Sequence, residues 1–421
     1  MTRFGAWLRG LVGAKEERPD PTPALSRVRA QPVGSASFAE HNNDFALAMY
    51  GQLRQRAENL FFSPFSVRAA LGMTHAGTRG ETAAQMRDTL RISSSDEALH
   101  VAFAEIIQRL NAAGGGEYEM SVANSLWCQD GAPLQPEFLD LIARYYGGGL
   151  NVVDFGRGAD AARVRINRWV EEETRRRIQE LIPSGGLGPD TCLVLVNAVY
   201  FKGMWVLRFR RTSTRDQPFH VEGGGTVEVP LMYQHETVRY LEAPGYQAVD
   251  LDYRGGDLSM LVLLPARKDG LWDLEKRVSA RELKHCVTQM ETCDVKLFLP
   301  RFKVTWGTVD LGAQLAALGM PFAFTRFQAD FSGINGREPP HEESLFLSAV
   351  FHKAFVEMNE EGTEAAAATA FVTTFAKSFQ APRPRPVPVF RADHPFLFAI
   401  RDRKSGAILF LGRMADPTRE S

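Results

Sequence analysis

The sequence predicts one large domain of mixed α+β architecture, with helices concentrated in its first half and strands in its second. The chain has 421 residues, of which 44% are hydrophobic, so it can bury a large core. Helical periodicity dominates up to about residue 180, whereas apolar, β-prone runs separated by turn residues dominate beyond it. Helices followed by strands in this order are typical of an α+β fold.

Charge and motif content exclude several classes of function. Lys and Arg number 49 against 50 for Asp and Glu, so no field of one sign would attract nucleic acid or an anionic membrane. No apolar run approaches the roughly 18 residues of a membrane span. The patterns G-x-S-x-G, H-E-x-x-H and G-x-x-x-x-G-K-[ST] are missing, which disfavours the common enzyme classes.

The cysteines are too few and too scattered for a disulfide framework or a C-x-x-C site. We interpret all four as free or buried thiols: Cys128, Cys192, Cys286 and Cys293. A pairing between Cys286 and Cys293 stays open, because sequence does not show whether their Cβ atoms converge.

The N-terminal segment is predicted to be an extension outside the folded body. Residues 1–38 mix Arg, Pro, Ser and Gly without a sustained period, which indicates a mobile segment. A short apolar stretch near the start is interrupted by Arg9 and followed by charge from Lys15, so it makes a weak secretion signal. The folded body is expected to begin near Ala39 and to continue to residue 421.

Helices and strands are assigned from periodicity and turn residues. Ser63-Pro64 and Gly80-Glu81 are plausible helix starts. Helices are predicted at 40–55, 64–72, 80–89, 99–110, 135–144 and 161–180. The run LVLVNAVYF at 193–201 predicts a central strand covered on both faces, in which Asn197 is the one polar residue. Further strands are predicted at 258–264, 295–299, 346–356, 396–400 and 407–412.

One segment does not suit an ordinary globular design. Residues 365–376 contain no charge, proline or glycine, and most of the early side chains are small. Read with period two, both faces of the segment could enter a sheet, with Glu364 at a solvent-side position. The proline-rich tract at 381–388 could not follow, because proline lacks the ladder donor. An alanine-rich helix end or a linker remains the alternative interpretation.

Several motifs in this sequence resemble those of the serpin family. EEGTEAAAATA at 360–370 is similar to the hinge of inhibitory serpins, and FRADHPF at 390–396 is similar to the family signature after the reactive loop. Other stretches match family motifs in the same order, namely those at 59–66, 124–127, 195–205 and 347–354. The resemblance covers roughly residues 40–417.

The resemblance implies a serpin fold, with three β-sheets, eight or nine helices and an exposed reactive-centre loop at about 360–389 in a single domain, 39–421. It implies a metastable native state and no enzymatic activity of its own. The expected function is that of a serine-type endopeptidase inhibitor, a suicide substrate whose cleaved loop inserts into the main sheet. The expected partner is a serine protease held in a covalent acyl-enzyme complex with a monomeric inhibitor, with no nucleic acid, membrane, metal or organic cofactor.

The same resemblance assigns roles within the loop. The hinge residues are Glu360, Gly362, Thr363, Glu364, Ala365, Ala366, Ala367, Ala368 and Thr369. Counting the usual seventeen residues from Glu360 places the reactive bond between Ala376 and Lys377, which favours an elastase- or subtilisin-like target. A register one residue later would favour a trypsin-like protease at Lys377, and one residue earlier a chymotrypsin-like protease at Phe375. The inserting strand, from Thr363 to Ala376, would span roughly 46 Å at about 3.3 Å per residue.

Other residues receive roles in controlling the sheet. Four of them resemble the polar cluster that controls sheet opening, and we call them the sheet-opening cluster: Ser63, Ser66, Asn197 and His352. Trp205 is expected where insertion begins, and Glu360 is expected to pair with Arg301 at the base of the loop. The alternative is that Asn197 and His352 are hydrogen-bonded core residues and Trp205 an ordinary core aromatic.

A serpin that does not inhibit is the rival hypothesis. Such members act as binding proteins, carriers or chaperones, and they usually carry charged, bulky or proline residues in the hinge. Thr363 and the small residues after it favour inhibition instead. Family precedent favours an extracellular location, whereas the N-terminal sequence does not.

Overall fold

The computed structural model describes residues 35–55, 57–113, 117–147, 149–363 and 386–419. Its helices are α1 Ser35–Leu53, α2 Pro64–His75, α3 Gly80–Thr89, α4 Asp96–Ala113, α5 Pro136–Tyr146, α6 Phe155–Glu173, α7 Leu271–Arg277, α8 Ala280–Gln289, α9 Gly312–Ala317 and α10 Ser332–Asn335. No helix within these ranges is long and apolar enough to cross a membrane. The predicted α+β class is confirmed.

The strands form two hydrogen-bonded sets. They are β1 Leu60–Phe62, β2 Tyr118–Gln129, β3 Leu150–Val153, β4 Leu193–Met204, β5 Arg215–Val221, β6 Gly225–Ala243, β7 Tyr246–Asp252, β8 Leu258–Pro265, β9 Glu291–Pro300, β10 Phe302–Asp310, β11 Leu347–Asn359, β12 Gly362–Thr363, β13 Val389–Arg391, β14 Phe396–Asp402 and β15 Ile408–Met414. Six strands form the main sheet, in the order β10-β11-β12-β4-β2-β3, with β11 also paired directly to β4.

The other nine strands follow the order β1-β15-β14-β8-β7-β6-β9-β13, with β5 paired to β6. Strand β6 is 19 residues long. Its first part pairs with β5, its last part with β7, and its middle with β9. This long strand therefore joins the remaining strands into one continuous hydrogen-bonded set.

Aromatic side chains fill the core where the last strand meets the beginning of the body. Strand β15 is antiparallel to β1, with Arg413 opposite Leu60. The ring of Phe61 is fully buried and stacks on Phe398 and Phe410, with centroid distances of 5.8 and 5.2 Å. The C-terminal strands are thus part of the central packing of the domain.

Two helix boundaries differ from the sequence prediction. Helix α1 begins at Ser35, ahead of the expected start at Ala39, because Phe38 is buried and packs edge-on against Phe103. Helix α6 ends at Glu173, whereas helix was predicted as far as residue 180. The backbone turns left-handed at Arg175 and Arg176, with φ of 51° and 62°, which stops the helix there. Residues 1–34 lie outside the described residues, so the predicted extension stays a prediction.

The described cysteines are all free thiols, including Cys286 and Cys293. Burial raises the pKa of Cys286 to about 11 and that of Cys128 to about 12. Both thiols are therefore protonated and unreactive near neutral pH.

Candidate site of strand insertion

The main sheet contains a parallel junction between two long neighbouring strands. Strands β11 and β4 run parallel, from Leu347 opposite Leu193 to Phe355 opposite Tyr200. The strands on their outer sides, β10 and β2, are antiparallel to them. Parallel pairing is slightly less stable per residue than antiparallel pairing. The sheet's other parallel pair, β2 with the four-residue β3, lies at its edge, so the junction of β11 with β4 is the weaker pairing among the long strands.

Beyond Phe355 and Tyr200, β11 and β4 no longer pair directly with each other. Strand β11 continues into a two-residue turn, and the chain then reverses as β12, which pairs antiparallel with β11 through Thr363 opposite Met358. On its other side β12 pairs antiparallel with β4, through Thr363 opposite Gly203. Both residues of β12 are buried. The first residues of the predicted hinge thus lie between β11 and β4 as a short additional strand.

The structure brings together all four residues of the sheet-opening cluster. Ser63 caps the N-terminus of α2, where its Oγ accepts a hydrogen bond from the Ser66 amide at 3.2 Å. The Ser63 amide donates to Nε2 of His352 at 3.2 Å. Because Nε2 accepts, the ring proton lies on Nδ1, which donates to the Asn197 side-chain oxygen. The Asn197 amide in turn donates to Ser66 Oγ.

This network crosses the parallel junction. His352 and Asn197 lie opposite each other on β11 and β4, so their side-chain hydrogen bond joins the two strands that a new strand would separate. His352 is fully buried, and this burial lowers its pKa to about 3. The imidazole is therefore neutral at physiological pH and is fixed in one tautomer by its two partners.

Asn124 is a further member of this network that was not predicted from the sequence. Asn124 lies opposite Asn197 on β2, and its side-chain oxygen accepts hydrogen bonds from both Asn197 and Ser66. A strand at 118–129 was not predicted, because its mixture of Ser, Asn, Glu and Ala has low strand propensity. The sequence signal for Asn124 is that it is a second asparagine, besides Asn197, within a segment that is partly buried.

Trp205 lies at the open end of the junction. It is 1% exposed, and its indole N–H donates to the carbonyl oxygen of Asn359 at 3.1 Å. Its ring stacks on Tyr253 with centroids 4.5 Å apart. The Trp205 backbone amide also donates to the carbonyl oxygen of Glu361 in the turn before β12. Trp205 thus binds both ends of that turn, one through its indole and the other through its backbone amide.

Glu360 is held at the base of the loop. Its carboxylate, 3% exposed, forms an ion pair with Arg301 and accepts a hydrogen bond from Thr214 Oγ1 at 2.7 Å. Burial alone would raise the pKa of Glu360, but the hydrogen bonds from Arg301 and Thr214 outweigh it and hold the pKa below its ordinary value. The adjacent Glu361 pairs with Arg211 at 3.0 Å.

The remaining predicted loop residues lie outside the described residues. They are Glu364, Ala365, Ala366, Ala367, Ala368, Thr369, Ala376 and Lys377. Across the described ranges, no group of three His, Cys, Asp or Glu side chains is placed to hold a metal ion.

The fold and this site define a family. A family model for serpins, the serine protease inhibitors, matches residues 40–417, and the chain therefore belongs to the serpin family. An uncharacterized serpin-like protein of Thermococcus kodakarensis is 40% identical over 89% of this chain and 84% of its own length. The human leukocyte elastase inhibitor is 39% identical over 89% of this chain and 98% of its own.

Solved serpin structures share the fold. Human thyroxine-binding globulin in complex with its hormone has a TM-score of 0.81 at 30% identity, covering 91% of this chain and all of that one. Uncleaved ovalbumin has a TM-score of 0.80 at 30% identity, covering 90% of this chain.

Proposed function

We propose that this protein is a suicide-substrate inhibitor of serine proteases that traps the acyl-enzyme by inserting its cleaved loop between β11 and β4. The observation that carries the proposal is the placement of β12. Strand β12 is antiparallel to both of its neighbours, β11 and β4. If it continued between them, two antiparallel ladders would replace the one parallel junction. Each added residue would gain hydrogen bonds in the more stable pairing geometry.

Strand lengths support this mechanism. Strand β4 has 12 residues and β11 has 13, while the proposed inserting segment, Thr363 to Ala376, has 14. The segment therefore matches the length of the groove that would receive it. Its small residues at 365–370 would pass between parting strands without steric conflict.

The sheet-opening cluster supplies the control that such a mechanism needs. Entry of a strand must break the hydrogen bond between His352 and Asn197, which are both almost completely buried. A buried polar group without a partner costs about 1–3 kcal/mol, so the closed sheet resists opening until a new strand offers replacement partners. The cluster therefore favours insertion of a complete strand over spontaneous parting.

We infer an elastase- or subtilisin-like target, with Ala376 before the reactive bond and Lys377 after it. The small side chain at Ala376 suits a shallow specificity pocket. The human relative named as a leukocyte elastase inhibitor supports the same class of target. Cleavage after Lys377 or Phe375 would instead identify a trypsin-like or chymotrypsin-like target.

The test is incubation with elastase-, subtilisin-, trypsin- and chymotrypsin-like proteases, followed by a denaturing gel and the mass of the released C-terminal peptide. We expect a complex that survives denaturation and a peptide that begins at Lys377. Clean cleavage without a complex and without a gain in heat stability would refute trapping and favour the rival binding or carrier function.

A hinge variant isolates the insertion step. Thr363 is fully buried in β12, so Thr363→Arg would place a charge where the strand must enter. We expect this variant to be cleaved as a substrate without forming a complex, whereas the matched control Thr363→Ser should still trap. Equal trapping by both variants would contradict insertion at this site.

A further inference from the structure

The loop strand has begun to enter the sheet before any cleavage. Its turn, Glu360 and Glu361, is held by backbone hydrogen bonds: Trp205 donates to the Glu361 carbonyl and Phe209 to the Glu360 carbonyl, both at 2.9 Å. The side chain of Asn359 closes the turn by accepting from the Glu361 amide at 3.0 Å. These contacts position the turn, but they do not reach the side chain of Thr363.

We infer that Tyr253 is a positioning residue that holds the first loop residues between β11 and β4 in the uncleaved protein. This inference rests on the proposed function and names a residue that acts in its first step. The Tyr253 hydroxyl lies 2.8 Å from Thr363 Oγ1, and the two groups form a hydrogen bond. Both residues are completely buried, so water does not compete for either hydroxyl.

The ring of Tyr253 is fixed from several sides. It lies parallel to Trp205, with an interplanar angle of 14°, and edge-on to Phe201 at 5.1 Å. Gly203 of β4 makes room for it, since a Cβ at this position would lie 2.7 Å from the ring. A ring held in this way presents its hydroxyl to the strand gap at a fixed position.

Gly362 shows how closely the loop start fits. Its φ is +149°, and a Cβ there would lie 2.0 Å from the backbone oxygen of Gly203. Residues with side chains rarely adopt this φ. Gly362 thus brings the backbone close to β4, and the next residue, Thr363, then reaches Tyr253.

The consequence concerns the competition between trapping and release. After acylation, the loop must insert before water hydrolyses the acyl-enzyme bond, or the inhibitor leaves as a cleaved product. A loop whose first residues are already docked starts insertion from inside the sheet. A hydrogen bond of ordinary net strength shifts such a docking equilibrium by about fivefold. Loss of the Tyr253 hydroxyl is therefore expected to raise the stoichiometry of inhibition.

The test compares Tyr253→Phe with Tyr118→Phe. Tyr118 is also buried and lies opposite Gly203 on β2, but its hydroxyl has no hydrogen-bond partner among the described residues. Hydrogen–deuterium exchange of the backbone amides at 362–363 reports docking in the uncleaved protein. We expect protection there to fall about fivefold in Tyr253→Phe and to stay unchanged in Tyr118→Phe. Equal protection in the two variants would overturn the inference.

A double-mutant cycle separates positioning from general stability. Thr363→Val removes the same hydrogen bond from the other side, and Thr363→Ser retains a hydroxyl. We expect the double variant Tyr253→Phe with Thr363→Val to lose no more protection than either single change, and Thr363→Ser to preserve it. Additive losses would show that the two hydroxyls act separately and would overturn the inference.

The exchange measurement needs no protease, so its outcome is distinct from that of the proposed function. If every variant fails to form a covalent complex while protection still depends on Tyr253, the inhibitory function fails and the positioning role stands. With an elastase-like protease, we expect Tyr253→Phe to raise the stoichiometry of inhibition and to leave the rate of loop cleavage unchanged. A slower cleavage with unchanged stoichiometry would contradict a role in insertion.

Discussion

Replacing His352 by glutamine should alter how the stability of the native state depends on pH. The folded protein holds His352 neutral, because burial lowers its pKa from 6.5 to about 3. Between pH 6.5 and about pH 3, the unfolded chain therefore binds a proton at this residue, whereas the folded chain does not. The stability that results is fully present above pH 6.5 and is lost as the pH falls toward 3.

The expected magnitude follows from the size of the shift. Each unit of pH below the unfolded pKa removes about 1.4 kcal/mol from the free energy of unfolding. Between pH 7.5 and pH 5 the wild-type protein should thus lose about 2 kcal/mol through His352 alone. The His352→Gln variant should not show this loss. It should be less stable at pH 7.5 by about 1–3 kcal/mol, because its hydrogen bonds are disturbed, and the two curves should converge at low pH.

The assay is denaturant unfolding of the uncleaved protein, measured at several pH values from 7.5 to 5. A matched control is His285→Gln, which makes the same substitution at an exposed histidine on α8 that belongs to no part of the sheet-opening cluster. Other groups, such as His100, whose pKa burial lowers to about 4, contribute equally to all three proteins and cancel in the comparison. Parallel pH curves for wild type and His352→Gln would refute the assignment of a buried, neutral imidazole to this site.

Two further predictions concern the core and the base of the loop. Phe61→Ala should lower the free energy of unfolding by about 3–5 kcal/mol, because the buried ring of Phe61 packs against Phe398 and Phe410. The control Phe327→Ala, at a residue that is 44% exposed, should lower it by under about 0.5 kcal/mol in the same assay. Similar losses in both would contradict the packing. Arg301→Glu should place a like charge beside the buried Glu360 and lower the free energy of unfolding by about 1–2 kcal/mol, a modest value because Arg301 is nearly half exposed. The double variant Arg301→Glu with Glu360→Arg, which exchanges the two charges, should recover part of this loss. No recovery would show that loss of the ion pair is not the cause.

The sequence predicted those elements whose signals are local. Helix α3 was predicted at 80–89, and the structure has it at Gly80–Thr89. The prediction succeeded because the helical period of the apolar residues begins at the start signal Gly80-Glu81. The apolar run at 193–201 predicted β4 for the same kind of reason. Strand β6 was not predicted, because most of its residues are only partly buried and alternate weakly between polar and apolar.

The candidate site was predictable only in part. The family resemblance placed Asn197, His352 and Trp205, since their motifs are continuous in sequence. Tyr253 lies in none of the motifs quoted for the resemblance, and the motif at 124–127 contains Asn124 without showing which residues it meets. Their partners Thr363 and Asn197 lie 110 and 73 positions away along the chain. Such contacts arise from strand order, which no local pattern reveals.

The pairing of β1 with β15 has a consequence for synthesis on the ribosome. Strand β1 cannot form its pairing with β15, in which Leu60 lies opposite Arg413, until β15 has been synthesised. By then Ala376 has already been made, since the 38 residues from 377 to 414, the end of β15, follow it in the chain. At about 5–20 residues per second, the nascent chain carries the complete segment that we propose inserts for about 2–8 seconds before the last strand has been synthesised. Under the proposed function, the segment that inserts is therefore synthesised before β15, and the order of synthesis favours premature insertion unless the turn and the sheet-opening cluster form early.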